Sequence, residues 1–251
     1  LPESTLLASD TNSGSVFQQW LNGVEQASGD FVWIAEADDE AEPDFLRTAL
    51  QPFADASVVL SYTESTSIDA DGNILDTNYQ QYVADLGVAH WQAPFVARGD
   101  EELAQYLCVK NTIPNVSACV FRRDALLAVL RAHIDTLKRF RVAGDWVTYC
   151  HLAQRGAIAF TPQSLNRHRR HAAGMTLGDD PLRHLEEILK VQQLVRQLCE
   201  LPAPSQAAAL AYAQKLYQQF ELATAEWPTV ADHPRLRPYL SLGQLDAPVS
   251  V

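Results

Sequence analysis

The chain has 251 residues, of which 47% are hydrophobic and 20% charged. That is the balance of a folded globular protein with one large domain or a domain plus an appendage, and it is far from the composition of a disordered chain. A formal net charge of −12 and a pI near 4.9 argue against nucleic acid or an anionic membrane surface as the main partner, because both would repel it at long range. The sequence has no apolar run of membrane-spanning length and no secretory signal pattern, so the expectation is a soluble, cytoplasmic protein, with the inner face of the membrane as a second setting.

Cys108, Cys119, Cys150 and Cys199 are widely spaced in apolar contexts, which fits buried reduced thiols rather than a disulfide framework or a zinc site. The chain starts Leu1-Pro2 and its only methionine is Met175, so it reads as a piece of a longer polypeptide. Asn115-Val116-Ser117 matches a glycosylation sequon, but it lies in an apolar strand pattern and is uninformative by itself.

In chain order, an extended stretch near Thr5 to Ala8 precedes a helix. Val16, Phe17, Trp20, Leu21, Val24 and Ala27 recur at helical spacing, with Ser15 and Gln18 in capping-box positions and Gly29 past the end. Phe31 to Ala35 reads as a buried strand and Pro43 as the start of the next helix. Val58 to Tyr62 is a second strand, followed by a hairpin turn at Asp71-Gly72. Asp69-x-Asp71-Gly72 lacks the rest of a calcium-loop pattern.

Glu101 to Val109 is expected to be helical, Ser117 to Phe121 extended, and Asp124 to His133 helical. A helix from Asp145 to Arg155 is closed by Gly156, and Ala157 to Phe160 is a strand. In "SLNRHRRH", an extended chain would place Leu165, Arg167, Arg169 and His171 on one face and Asn166, His168 and Arg170 on the other. Beyond Thr176 two helical patterns, broken by "LPAPS", predict a C-terminal helical appendage and a Pro-rich tail. The alternation of strands and helices upstream defines an α/β domain.

Between Glu36 and Glu42, five of seven residues are acidic, directly after an apolar strand. Carboxylates at i and i+2 there can converge on a hard cation such as Mg²⁺ or Mn²⁺, which takes oxygen ligands and shares its shell with water and phosphates; the alternative is a solvated acidic loop. "RHRRH" is the dense basic cluster of this acidic chain and suits either phosphate oxygens or a salt-bridged surface. Asp145, between Gly144 and Trp146, is either a helix N-cap or a partly desolvated general base. Trp91 and Trp146 could stack on sugar faces or pack in the core.

"NSGSVFQQWLNGVEQASGDFVWIAEADDEAEPDFL" resembles the centre of family 2 glycosyltransferases with the GT-A fold, in which a strand ends in a metal-binding Asp-x-Asp motif; here Glu36-Ala37-Asp38 stands in that place. "NTIPNVSACVFRRDAL" is similar to the acceptor-side strand and helix of that family. "AGDWVTYCHLAQRGAIAFTPQSLNRHRRHAAGMT" is similar to the segment with its catalytic acid and final Arg-x-His. The resemblance covers about residues 5 to 176 and implies a GT-A-like (Rossmann-like) mixed sheet flanked by helices in residues 1–176, with residues 177–251 as the helical region and tail.

It also implies roles: Asp38 as metal ligand, Glu36 toward the ribose or the metal's water shell, Asp39 toward the donor sugar, Asp145 as catalytic base, Arg169 at the diphosphate, His171 at the metal or diphosphate, and Trp146 beside the substrate. The implied reaction is inverting transfer from a nucleotide-sugar donor to a glycan or polysaccharide acceptor with Mn²⁺ or Mg²⁺, as in bacterial surface polysaccharide assembly. The sequence departs from the family in having Glu at the first motif position and Gly before Asp145. The family's first nucleotide-binding strands have no counterpart here. They are expected to come from the rest of the parent protein or a second chain, and without them the sheet has an exposed edge and the pocket is incomplete. Two other readings remain: a noncatalytic glycosyltransferase-like scaffold, and a nucleotidyltransferase, which would need a glycine-rich phosphate loop that the sequence lacks.

Overall fold

The computed structural model describes residues 4–7, 12–170 and 180–241. Its first element, α1 (Val16–Gln26), buries Phe17, Trp20, Leu21 and Val24 on one face, as the periodicity requires. The expected capping box does not form: Ser15 is extended at the N-cap, but its hydroxyl is buried without a partner among the described residues, while Gln18 bonds Asn22 at 2.8 Å. Packing, rather than a side-chain cap, holds this helix start.

The strands are β1 (Phe31–Trp33), β2 (Glu40–Ala41), β3 (Val58–Ile68) and β4 (Ile74–Asp76), then β5 (Phe95–Ala97), β6 (Cys119–Arg122) and β7 (Ala157–Arg169). They form one mixed sheet in the order β1-β6-β3-β7-β2, with β4 added to β3 and β5 to β7. Among the described strands only β3 and β7 run parallel; every other pairing is antiparallel. β1 is shorter than Phe31 to Ala35 and only half-buried, because it pairs with β6 alone and its outer edge carries no strand among the described residues. β3 extends six residues beyond Tyr62 through the polar run Thr63 to Ser67, which β7 pairs along its length.

β3 and β4 are joined by the expected tight turn. Gly72 adopts φ 87°, a region open to glycine, and Asp69 Oδ1 accepts the Asp71 and Asn73 amides at 2.9 and 2.8 Å. Those bonds, with the Asn73 side chain foremost, hold the Asp69 carboxyl below the usual range. The Asp69 carboxylate therefore serves the turn.

Helices flank both faces of the sheet. On one side α2 (Phe45–Leu50) and the turn after it place Phe45, Ala49 and Phe53 against Val58, Val120, Ala157 and Ala159. Between β4 and β6 lie α3 (Gln80–Val83) and α4 (Gly99–Glu102), the latter running into a π turn, Leu103–Leu107. The larger core, on the opposite face, takes α1, α5 (Arg123–Leu137) and α6 (Gly144–Ala153). The two C-terminal helices, α7 (Pro181–Leu198) and α8 (Ala203–Gln219), insert Ile188, Val191, Val195 and Ala209 into that same core. None of the described helices is long and apolar enough to cross a membrane.

His151 on α6 stacks on His133 of α5, centroids 3.6 Å apart and planes within 7°. Burial, then the His133 charge, pushes His151 down to about 4. The unfolded chain therefore takes up a proton near pH 6.5 that the folded chain refuses until about 4. The resulting contribution is intact above 6.5 and is lost as pH falls through that window. Buried carboxyls titrate there with the opposite sign, so the informative quantity is a difference. Between pH 7 and 4.5, denaturant titrations should show His151→Gln losing less stability than wild type by about 2 kcal/mol; equal losses would mean the ring is not held neutral.

Candidate active site

The acidic loop after β1 is suspended from the short turn Val116–Ala118. Trp33 donates its indole N–H to Ser117 O at 2.8 Å, and the Glu36 amide donates to Ser117 Oγ at 3.0 Å. Asn115 closes that turn by accepting the Ser117 amide at 2.9 Å, and its side-chain amide donates to Asn166 of β7 at 2.5 Å. The sequon asparagine is thus a buried structural clamp, 3% exposed.

The basic run of β7 answers the acids directly. Arg167 pairs with Glu42 at 3.0 Å across the β2–β7 ladder. Arg169 donates its amide to Asp39 Oδ1 at 2.8 Å, its Nε to Asp38 O at 2.8 Å and a terminal nitrogen to Glu40 at 2.6 Å. The other terminal nitrogen reaches Asp69 O at 2.8 Å, tying the hairpin turn to the loop. Arg169, expected at a diphosphate, has its guanidinium engaged by the protein and works as the clasp of the acidic loop. His171 lies outside the described residues.

Two cavities open beside this clasp. The larger, about 830 Å³, runs between α1 and the outer side of β1, and its lining includes Trp20, Val32, Glu36, Asp38 and Arg170. Glu36 opens to solvent through the cavity, yet enough protein surrounds its carboxyl for desolvation, followed by the Asp39, Asp38 and Asp145 charges, to raise it to about 7. Asp39 Oδ2 is buried without a hydrogen-bond partner among the described residues. An orphaned carboxylate oxygen near a carboxyl held up by burial and then by like charges fits a cation or a donor hydroxyl. Among the described residues no three His, Cys, Asp or Glu side chains form a ready-made metal cage. The set suits a metal that takes one or two protein carboxylates and completes its shell with phosphate and water.

The second cavity, about 610 Å³, contains Asp145, Asn111, Tyr82, His184 and Tyr212 in its lining, and shares Arg170 with the first. Asp145 stands in the first turn of α6, where its Oδ1 accepts the Trp146 amide at 2.7 Å and its Oδ2 accepts from Asn111 at 3.0 Å. Burial outweighs those two bonds and lifts its carboxyl to about 6. Gly144 is explained by space, since a Cβ there would lie 2.4 Å from the Phe17 ring of α1. Trp146 reaches the cavity wall but is buried, its indole N–H bonded to Leu107 O at 3.0 Å; Trp91 is a core residue bonded to the Tyr62 hydroxyl at 2.9 Å. Lys110 lies between the rings of Tyr82 and Tyr212, 4.5 and 4.7 Å from their centroids, and bonds Asp85 at 2.7 Å. That contact pins α8 to the wall of this cavity.

Glu36 and Asp38 thus line one cavity and Asp145 the other, with Arg170 in both linings, and the Glu36 carboxyl lies near enough to feel the Asp145 charge. The resemblance points to Arg169, whereas Arg170, its neighbour, lines both cavities. Strand alternation placed the two on opposite faces without saying which face met the ligand side.

No protein-family model and no curated protein matches the sequence. Among solved structures the chain is similar to TarS of S. aureus, residues 1–349. In complex with UDP-GlcNAc that structure aligns at TM-score 0.54 and 13% identity, over 84% of this chain and 55% of TarS 1–349. A second crystal structure of TarS 1–349 aligns at TM-score 0.51 and 14% identity, over 84% and 53%. The chain thus spans about half the length of these relatives. The likeness shows the fold: a GT-A-like architecture, with a mixed sheet flanked by helices.

The Glu36 carboxyl supplies a direct test of the electrostatics. Its folded value near 7 lies above the ordinary 4.5, so its ionisation penalises the fold, beginning above 4.5 and complete above about 7. Glu36→Gln should raise the melting temperature at pH 8 and leave it nearly unchanged at pH 4.5; a variant less stable than wild type at pH 8 would contradict the crowding of charge described here.

Proposed function

We propose that the chain is part of an inverting, metal-dependent glycosyltransferase of the family 2 type, moving a sugar from a nucleoside-diphosphate donor to a hydroxyl of a glycan or polysaccharide acceptor on the cytoplasmic side of a bacterial membrane. The observation that carries this reading is the pair of cavities that share Arg170, one walled by the acidic strand end and the other lined by the half-buried Asp145. The GT-A-like fold supports it, and so does UDP-GlcNAc, the nucleotide sugar with which TarS was crystallised.

Asp145 would accept the proton of the acceptor hydroxyl. With its carboxyl near 6 it is mostly ionised at pH 7 and still basic enough to take that proton. The acceptor oxygen then attacks the anomeric carbon from the face opposite the diphosphate, the bond to the diphosphate breaks with its electron pair, and the configuration inverts. Asn111 and the Trp146 amide keep the base aimed. Arg170 supplies positive charge beside the leaving group. Asp38, with Glu36 toward the ribose or the metal's water shell, would hold Mn²⁺ or Mg²⁺, whose chemistry is to neutralise the departing diphosphate. Asp39, with its orphaned oxygen, is assigned to the donor sugar.

The proposal extends to the outer edge of β1, along which the larger cavity runs. Strands from the parent polypeptide or a second chain would pair there and complete the nucleotide pocket. The same open edge favours a second reading, a noncatalytic glycosyltransferase-like module. Calorimetric titration with UDP, GDP and dTDP, with and without Mn²⁺, separates the two: the transferase reading expects metal-dependent binding of one nucleotide, lost in Asp38→Ala. Asp145→Asn should keep that binding while transfer falls by about 10²-fold or more. A well-folded chain that binds none of them favours the scaffold.

A further inference from the structure

Glu187 of α7 is 3% exposed and points at the segment that leads into α6. Its Oε1 accepts the Arg141 amide at 2.9 Å, and its Oε2 accepts the amides of Val142 at 2.8 Å and Ala143 at 3.2 Å. Three consecutive main-chain N–H groups thus converge on one carboxylate, directly before Gly144 and Asp145. Their donors would otherwise be left unpaired at a helix start. Arg183, one turn earlier on α7, stands 3.5 Å from the same carboxylate and offsets its burial.

We propose that Glu187 is a positioning residue for Asp145: it fixes the direction in which the chain enters α6 and hence the aim of the Asp145 carboxyl. This rests on the reading of Asp145 as the base. The C-terminal helical region is then a working part of the site, since Asp145 is located by Phe17 from α1, Asn111 from the segment after α4, and Glu187 from α7. Charge acts alongside geometry. Burial is the main cause of the raised Asp145 carboxyl, and the Glu187 charge adds to it. The other titratable or charged groups around Asp145 among the described residues include Asp76, Tyr79, Tyr82, Arg170, His184 and Tyr212 in the same cavity lining, and Glu36, Cys119, Tyr149 and Cys150, each near enough to feel its charge.

The test is a carboxyl ¹³C NMR titration of the aspartate-labelled chain, with Asp145→Asn assigning the resonance. In Glu187→Gln the Asp145 midpoint should move down by about half a pH unit or more, and amide exchange at Val142 and Ala143 should rise about ten-fold. Glu186→Gln, on the same helix but paired with Lys190 and Arg235, should leave both unchanged. Should Glu187→Gln fail to fold, Glu187→Asp withdraws the charge by one methylene and should move the midpoint the same way. An unmoved midpoint in either folded variant overturns the proposal, whatever the exchange rates do. Sugar transfer is followed separately: an Asp145→Asn variant that transfers as fast as wild type, while the Glu187 variants still shift the midpoint, refutes the base assignment and leaves the coupling standing.

Discussion

The parallel pairing of β3 with β7 is the constraint on which the rest of the molecule depends. Both strands are long, and their pairing runs from the apolar half at Leu60 and Ile158, through register shifts between Thr63 and Ser65, into a second half where Ser67 pairs with His168 and Ile68 with Arg169. The apolar half builds the two cores. The second half carries Asn166, Arg167 and Arg169 to the one place where they can bond the loop after β1 and the hairpin turn after β3. A register slip by one residue would turn Arg169 to the opposite face and release the acidic loop.

That arrangement divides the acids into two groups. Glu40 and Glu42 are matched by Arg169 and Arg167, and Asp69 is absorbed by its turn. Glu36 and Asp145 line the cavities with their carboxyls raised by burial, and one oxygen of Asp39 keeps its bonding unmet among the described residues. An isolated exposed acid would relax into water. These are held by a rigid frame of Ser117, Asn115 and Arg169, which is how a folded chain keeps like charges close without a local countercharge for each.

Much of this was legible in the sequence, and the lapses have physical causes. The helices read from apolar periodicity appear where expected, because one face of each must be buried. The Asp71-Gly72 turn appears because glycine alone tolerates its backbone freely. β3 outruns its apolar stretch since Thr63 to Ser67 gain their strand from β7, with β4 added at Ser67, rather than from their own hydrophobicity. β2, two residues in an acid run, exists through ion pairs with a strand over a hundred residues away. Glu187 was invisible for the same reason: the stripe of Leu185, Ile188 and Leu189 marks what faces the core and says nothing of an acid buried by three amides of a distant loop.

The buried clamp at Asn115 reaches back to how the chain is made. Its side-chain amide is the nitrogen to which an oligosaccharide would be attached, and in the fold that nitrogen bonds Asn166 in the interior. A glycan added during synthesis would have no space there and would remove the bond that anchors the turn beneath the acidic loop. The same three residues that read as an acceptor for sugar therefore require a folding environment in which that modification does not occur, or a folding rate that closes the strand first.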